Sequence, residues 1–317
     1  MMNRLQLQLV VWLQMEMLDI IDFPSKNTRF NVDQASGLRR MVKPHPVRVV
    51  TIASGKGGVG KTNVTVNLAL ALASQGKNVT ILDADLGLAN IDVMLGLHSD
   101  KNLSHVMNGE CELDEILLDG PNGIKIIPAS SGVKNMAEMS PAEHAGLVSA
   151  FSQLSHDIDI LLVDTAAGIS DSVVSFSRAA QEVLIVVCDE PASITDAYAL
   201  IKLLSKEQNI FNFHILANMV SGPQQGREVY DKLSKVSNRF LDVALDYLGH
   251  VPYDEHLQKA IKRQKSVVEA FPRSRSAQAF QTLSKKVNNW PVSTASGGHL
   301  EFFVEKLVSG TTLEVLP

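Results

Sequence analysis

The stretch VRVVTIASGKGGVGKTNVTVNLALAL, residues 47–72, constrains the fold more than any other part of the chain. An apolar, β-branched run ends at Ala53, a glycine-rich loop follows, and a helical apolar pattern begins at Thr62. Gly55, Gly57, Gly58, Val59, Gly60, Lys61 and Thr62 fit the spacing G-x-x-x-x-G-K-[ST], and their context is the required one, a strand before and a helix after. The glycines let backbone N–H groups converge on phosphate oxygens, and the helix N-terminus adds positive field. Lys61 is placed to reach the β- and γ-phosphates and the Thr62 hydroxyl to ligate Mg2+. A second lysine in the same loop, Lys56, has no part in that scheme.

Downstream, short apolar runs alternate with helical patterns. Strands are expected at 78–85, 123–129, 159–165, 182–189, 213–219 and 248–254, with helices from Thr62 to about Gln75, after Ser140-Pro141, and around Asp196–Leu204. Strands apolar throughout and separated by helices belong to a parallel sheet covered on both faces. The expected fold class is α/β: a P-loop NTPase with a mainly parallel twisted sheet flanked by helices, plus a C-terminal amphipathic helix. Residues 1–46 form an appendage ending in two prolines, 47–287 the nucleotide-binding domain, 288–298 a Pro/Ser/Gly linker and 299–310 the terminal helix. Met15 and Met17 are alternative start sites, and residues 1–20 carry no fold signal.

A chain that is 45% hydrophobic and 20% charged buries a sizeable core, which excludes disordered and fibrous classes. The net charge of −5 argues against a general polyanion binder. From Glu255 to Lys286 eight Lys/Arg face two acids, a local excess read first as a solvated helix face. Two cysteines, Cys111 and Cys188, make neither a disulfide framework nor a zinc site. No run approaches the roughly 18 apolar residues of a membrane span, so a cytoplasmic protein is expected.

Acidic residues at strand ends supply the remaining chemistry. Asp164 closes the run ILLVDTAAG, where a carboxylate can hold a Mg2+-bound water, and the Gly168 N–H is available to a γ-phosphate. In ILDADLGLAN, Asp83 and Asp85 are two residues apart and expected to point the same way, one supporting the metal and one orienting water. The competing role for Asp83 is a strand-end cap.

The loop GKGGVGKT resembles the deviant Walker A motif of the MinD/ParA class of P-loop ATPases. The resemblance implies ATP as nucleotide and a homodimer in which Lys56 crosses to the partner's phosphates. By matching positions it also implies that Asp85 positions the hydrolytic water, Asp164 is the Walker B residue, Asn218 reads the adenine edge, and the segment around Pro252 lines the base. DADLGLANIDVMLGL and the phrase from Asp164 to Leu204 are similar, more specifically, to the FlhG/FleN family of flagellar-number ATPases, over about residues 33–308. The family implies an inner-membrane surface as a docking partner, an FlhF-type signal-recognition GTPase, and a flagellar transcriptional regulator and flagellar switch proteins as further partners. A MinD-type division-site ATPase and a ParA-type DNA partition ATPase are the alternatives, with DNA binding not expected.

Leu300, Phe303, Val304, Leu307 and Val308 fall on one helical stripe, which the family uses as a membrane-targeting helix. DQASGLRRM, residues 33–41, is by physics alone a solvated linker that Asp33 can cap. In the family a D-Q-A-x-x-L-R segment engages the FlhF-type GTPase, and Gln34, Leu38 and Arg39 match its contact positions.

Overall fold

In the computed structural model, which describes residues 46–85, 91–128, 148, 150, 151, 158–291 and 300–309, strand and helix alternate through the domain. β1 (Arg48–Ala53) leads through the glycine-rich loop into α1 (Lys61–Ala73), followed by β2 (Val79–Ala84). Three short helices, α2 (Ile91–Leu95), α3 (Leu103–Met107) and α4 (Leu113–Ile116), precede β3 (Leu118–Asp119) and β4 (Lys125–Pro128). Next come β5 (Ile160–Thr165), α5 (Asp171–Ala179), β6 (Glu182–Val187), α6 (Pro191–Gln208), β7 (Asn212–Val220), α7 (Pro223–Phe240) and β8 (Ala244–Pro252). The last helices are α8 (Glu255–Ile261), α9 (Val267–Ala270), α10 (Arg275–Asn288) and α11 (Leu300–Ser309).

The strands form one sheet in the order β3-β4-β2-β5-β1-β6-β7-β8. Every pairing is parallel except the two-residue edge contact of β3 with β4. β1, β2 and β5 are buried along their whole length, because helices cover both faces and leave no polar side to alternate with. One face packs α1 and α10 against Ile52, Ile81 and Leu162. Parallel register sets Asp83 of β2 opposite Asp164 of β5, and Asp164 opposite Ile52 of β1. The carboxyl ends of these three strands therefore open where the loop after Ala53 begins, the usual ligand edge of such a sheet.

Sequence-predicted strands agree with the structure to within a few residues at their ends. α6 is longer than expected, beginning with Pro191 in its first turn and ending at Asn209 in a left-handed cap. Of the helix expected after Ser140-Pro141 residues 148, 150 and 151 are described and are helical, while the appendage carrying Gln34, Leu38 and Arg39 and the linker residues 292–298 lie outside the described residues.

α11 takes the expected stripe and turns it inward. Leu300, Phe303, Val304 and Leu307 are buried on the domain's own core with Leu161, Val163 and Phe176. The Phe303 ring stacks on Phe176 at 6.5 Å. The Val308 side chain lies outside the described residues. No helix among the described residues is long and apolar enough to cross a membrane.

Candidate functional site: the loop after β1

The turn is built by close approach. A Cβ on Gly55 would sit 2.1 Å from the backbone of Asp196 on α6, so only glycine lets the loop lie against that helix. Gly60 has φ +86 and caps α1 in the left-handed region, where an added Cβ would also meet the Asn218 amide at 2.7 Å. Ser54 Oγ donates to the Lys56 carbonyl at 2.8 Å, closing the first half of the loop.

The two lysines then part. Lys61 is buried at the start of α1, and burial lowers its pKa against the attraction of Asp164 and Asp85. Lys56 stands on the loop with its side chain 39% exposed, its Nζ 2.6 Å from Glu190 Oε2 just before α6. The hydrogen bond and charge of Glu190 raise its pKa, with Asp196 adding attraction. The extra lysine is thus held by an acid of its own chain at the rim of the site.

Asp164 is 1% exposed. It accepts from Thr65 Oγ1 at 2.9 Å, and Thr62 bonds it as well. Burial still outweighs these donors and the Lys61 charge, pushing its pKa up to about 6. Its neighbour across the strand pair, Asp83, is pushed up to about 7 by burial and then by the Asp164 charge. Two buried carboxylates beside a threonine hydroxyl, with a buried lysine facing Asp164, form an under-compensated pocket that a hydrated Mg2+ and phosphates fit. Among the described residues no three His, Cys, Asp or Glu side chains form a direct metal cluster. Such a Mg2+ would be held through Thr62, Asp164 and the phosphates themselves.

The structure gives the surroundings of five of the expected site residues. β2 ends at Ala84, so Asp85 lies one residue beyond the strand. Asp83 folds over the turn, accepting from Asp85 N at 3.4 Å and Ile91 N at 3.3 Å, the strand-end cap. The Gly168 N–H donates to the Ser54 carbonyl at 2.9 Å and must exchange that bond to meet a phosphate. Asn218 is buried, its Nδ2 donating to the Val59 carbonyl at 2.7 Å, so its amide braces the loop. Pro252 ends β8 on a groove along the outer edge of the sheet, while Tyr253 beside it is exposed. Glu190 and Thr65 were not read from sequence as site residues. Thr65 was findable, lying one helical turn after Lys61 on the face of α1 that meets β5.

Asp83 supplies a pH prediction. A carboxyl whose folded pKa of about 7 lies above its ordinary 3.8 favours the folded state while protonated. Its contribution is complete below about 4 and disappears as pH rises through 7, a range of roughly 4 kcal/mol in the limit. Asp83→Asn is therefore expected to raise the nucleotide-free melting temperature at pH 8, on the order of 5 °C, and to flatten the pH dependence between 5 and 8. Differential scanning calorimetry checks both, and a variant less stable than wild type at pH 8 contradicts the assignment.

A ParA family model, described as NUBPL iron-transfer P-loop NTPase, matches residues 46–288. The antiactivator FleN of Pseudomonas aeruginosa is 58% identical over 271 residues, covering 86% of this chain and 97% of FleN. The flagellum site-determining protein YlxH of Helicobacter pylori is 35% identical, covering 83% of this chain and 87% of its own length. Among solved structures, the septum site-determining protein MinD of Pyrococcus horikoshii, complexed with Mg-ADP, superposes with a TM-score of 0.60 at 25% identity, covering 77% of this chain and 96% of that one.

Proposed function

The chain belongs to the ParA/MinD family of P-loop ATPases, in its FleN/FlhG branch, and we propose from that premise that it restrains flagellar number as an ATP-dependent dimeric switch. It is an ATPase. The iron-transfer description attached to the family model has no counterpart in the cysteines: Cys188 is buried with Sγ 3.8 Å from the Val59 carbonyl, and Cys111 is remote in sequence.

In the proposed cycle, loop N–H groups and Lys61 hold the ATP phosphates, whose charge offsets the burial that lowers the Lys61 pKa. Bound Mg2+ supplies Lewis-acid stabilisation of the charge that develops on the transferred phosphoryl group. Thr62 and Asp164 hold the position next to it. Asp85 orients the attacking water, which adds to the γ-phosphorus as the bond to ADP breaks. Lys56 leaves Glu190 and reaches the phosphates in a second copy of the chain. The observation carrying this reading is the position of Lys56: exposed at the rim and salt-bridged to its own Glu190, while Lys61 already fills the phosphate-facing place.

The proposed second state releases α11. Its apolar face is covered while it stacks on Phe176, and undocked copies on a dimer would bind a membrane surface together far better than one alone. The molecule would then cycle between a monomer in the cytoplasm and a dimer on the inner membrane. A flagellar transcriptional regulator and flagellar switch proteins are proposed as further partners, as the family resemblance implies. Counting flagella in a deletion strain tests the assignment: excess flagella support it, and filamentous or minicell-forming cells favour a division-site role.

Residues 33–41 are proposed to engage a signal-recognition-type GTPase of the FlhF class. A peptide of residues 30–43 is expected to raise that partner's GTP turnover, with Gln34 orienting water and Arg39 donating to phosphate. Loss of stimulation in Gln34→Ala and Arg39→Ala peptides supports these roles. No stimulation by the unaltered peptide returns the segment to a linker.

A further inference from the structure

A groove of about 590 Å3 runs between α7, the outer edge of β8 and α10. Arg227, Tyr247, His250, Arg275 and Lys286 line it, and no Asp or Glu does. We propose that this groove binds a phosphate-bearing small molecule, with Arg275 and Lys286 as its principal charge partners and Arg227 stacked on Tyr247 as its wall.

Compensation is what the groove lacks. Among the described residues none of Arg227, Arg275 and Lys286 has a carboxylate within 4.0 Å, while Lys259 and Lys265 on the neighbouring helices are paired, with Glu255 at 3.6 Å and Glu269 at 2.8 Å. Lys286 Nζ rests on the Leu248 carbonyl at 2.6 Å and Arg275 Nη2 on the Ser221 carbonyl at 2.9 Å. These are neutral acceptors that a phosphate oxygen outcompetes, since a bond between two charged groups is about twice as strong.

Two further observations point into the same space. The Tyr247 hydroxyl is buried against Gly226 of α7 with no hydrogen-bond partner, and the Arg227 guanidinium lies 4.5 Å from the Tyr247 ring centre on the groove wall. Burial, then the charges of Lys286 and Arg275, hold the His250 imidazole below its usual pKa, as expected of a ring facing uncompensated cations. The groove's size is that of a single small-ligand pocket, with Arg275 at one end and Lys286 three turns further along α10. With a net charge of −5 on the whole chain, a small anion fits better than a nucleic-acid backbone. The groove shares the loop from Ser221 to Pro223 with β7, whose Asn218 braces the phosphate loop, but the proposal does not depend on the switch mechanism.

The test uses the full chain with its phosphate loop saturated by a Mg2+-bound, non-hydrolysable ATP analogue, which also fills the γ-phosphate place, so that added phosphate meets only the groove. Inorganic phosphate is titrated while the imidazole signal of His250, assigned with His250→Gln, is followed by NMR. A saturable shift is expected, weakened at least tenfold in Arg275→Gln/Lys286→Gln, a variant whose affinity for that analogue stays within about twofold of wild type because neither residue touches the phosphate loop. Uridine monophosphate in place of phosphate separates the sources of the ligand: tighter binding means a nucleotide that also uses Tyr247, equal binding means the phosphate group alone. Either supports the site. A linear, unsaturable shift, or one unchanged in the double variant, overturns it. So does a DNA duplex that binds with the same dependence on Arg275 and Lys286 and excludes phosphate, which would make the groove part of a nucleic-acid surface.

Discussion

Lys56→Ala is expected to bind ATP within about threefold of wild-type affinity and to lose turnover by a factor of 10² or more, the scale of removing one preorganised charge from a transition state. The physical reason lies in where the lysine rests. Its ammonium is 2.6 Å from Glu190 at an exposed rim, so a monomer's own phosphate loop loses nothing when it is removed. Lys61→Ala removes the buried cation facing Asp164 and is expected to lose binding itself. Isothermal titration with a slowly hydrolysed ATP analogue, and sedimentation with and without it, separate the two. Lys56→Ala dimerising like wild type would show that the lysine has no role across the interface. The salt bridge to Glu190 is solvent-exposed, and breaking it should leave the melting temperature unchanged within error.

Asp85→Ala is expected to show the second large effect: ATP binds, dimers form and persist, and hydrolysis falls by 10² or more because the water loses its orienting carboxylate while the phosphate contacts remain. Asp85 is half-buried at the end of β2, beyond the strand and near enough to Lys61 to raise its pKa. A trapped dimer should also pellet with anionic liposomes more than wild type does. Adding Phe303→Glu to the trapped variant separates docking from membrane binding. Phe303 is 2% exposed on its own core, so the glutamate loosens the docked helix and yet cannot enter a bilayer interface. Reduced pelleting of the double variant therefore cannot come from tighter docking. Equal pelleting would remove α11 from the membrane account, and wild-type turnover in Asp85→Ala would remove Asp85 from catalysis.

Local chemistry was legible in the sequence where backbone conformation carries it. The glycine at 60 with φ +86, the strand before it and the helix after it follow from one octapeptide. Asp164 was legible because an apolar strand has one exit. What could not be read was register. Nothing in ILDADLG says that Asp83 will be buried beside Asp164, with its pKa raised by burial first and then by the Asp164 charge while it caps the turn. Glu190 was equally hidden, since its pairing with Lys56 spans 134 residues. α7 went unread for another reason: Val229 and Leu233 are its only large apolar side chains that are fully buried, so the stripe is too thin to stand out from PQQGREVYDKLSKVSNRF. The edge strand β3 is two residues long and exists only through its pairing with β4.

The central claim is that each hydrolytic site is completed by the other copy's Lys56. It is tested most directly by mixing two inactive proteins, Lys56→Ala and Asp85→Ala, and measuring ATP turnover. In a mixed dimer, ATP on the Lys56→Ala chain meets an intact Asp85 in its own chain and an intact Lys56 from its partner, so one of the two sites is whole. With the proteins mixed before ATP is added and the Lys56→Ala chain in excess, so that few Asp85→Ala homodimers form and persist, each mixed dimer has one whole site of two, and turnover per mixed dimer of about half the wild-type value is predicted. Turnover no greater than the sum of the two variants measured apart would contradict the account and place Lys56 in the site of its own chain.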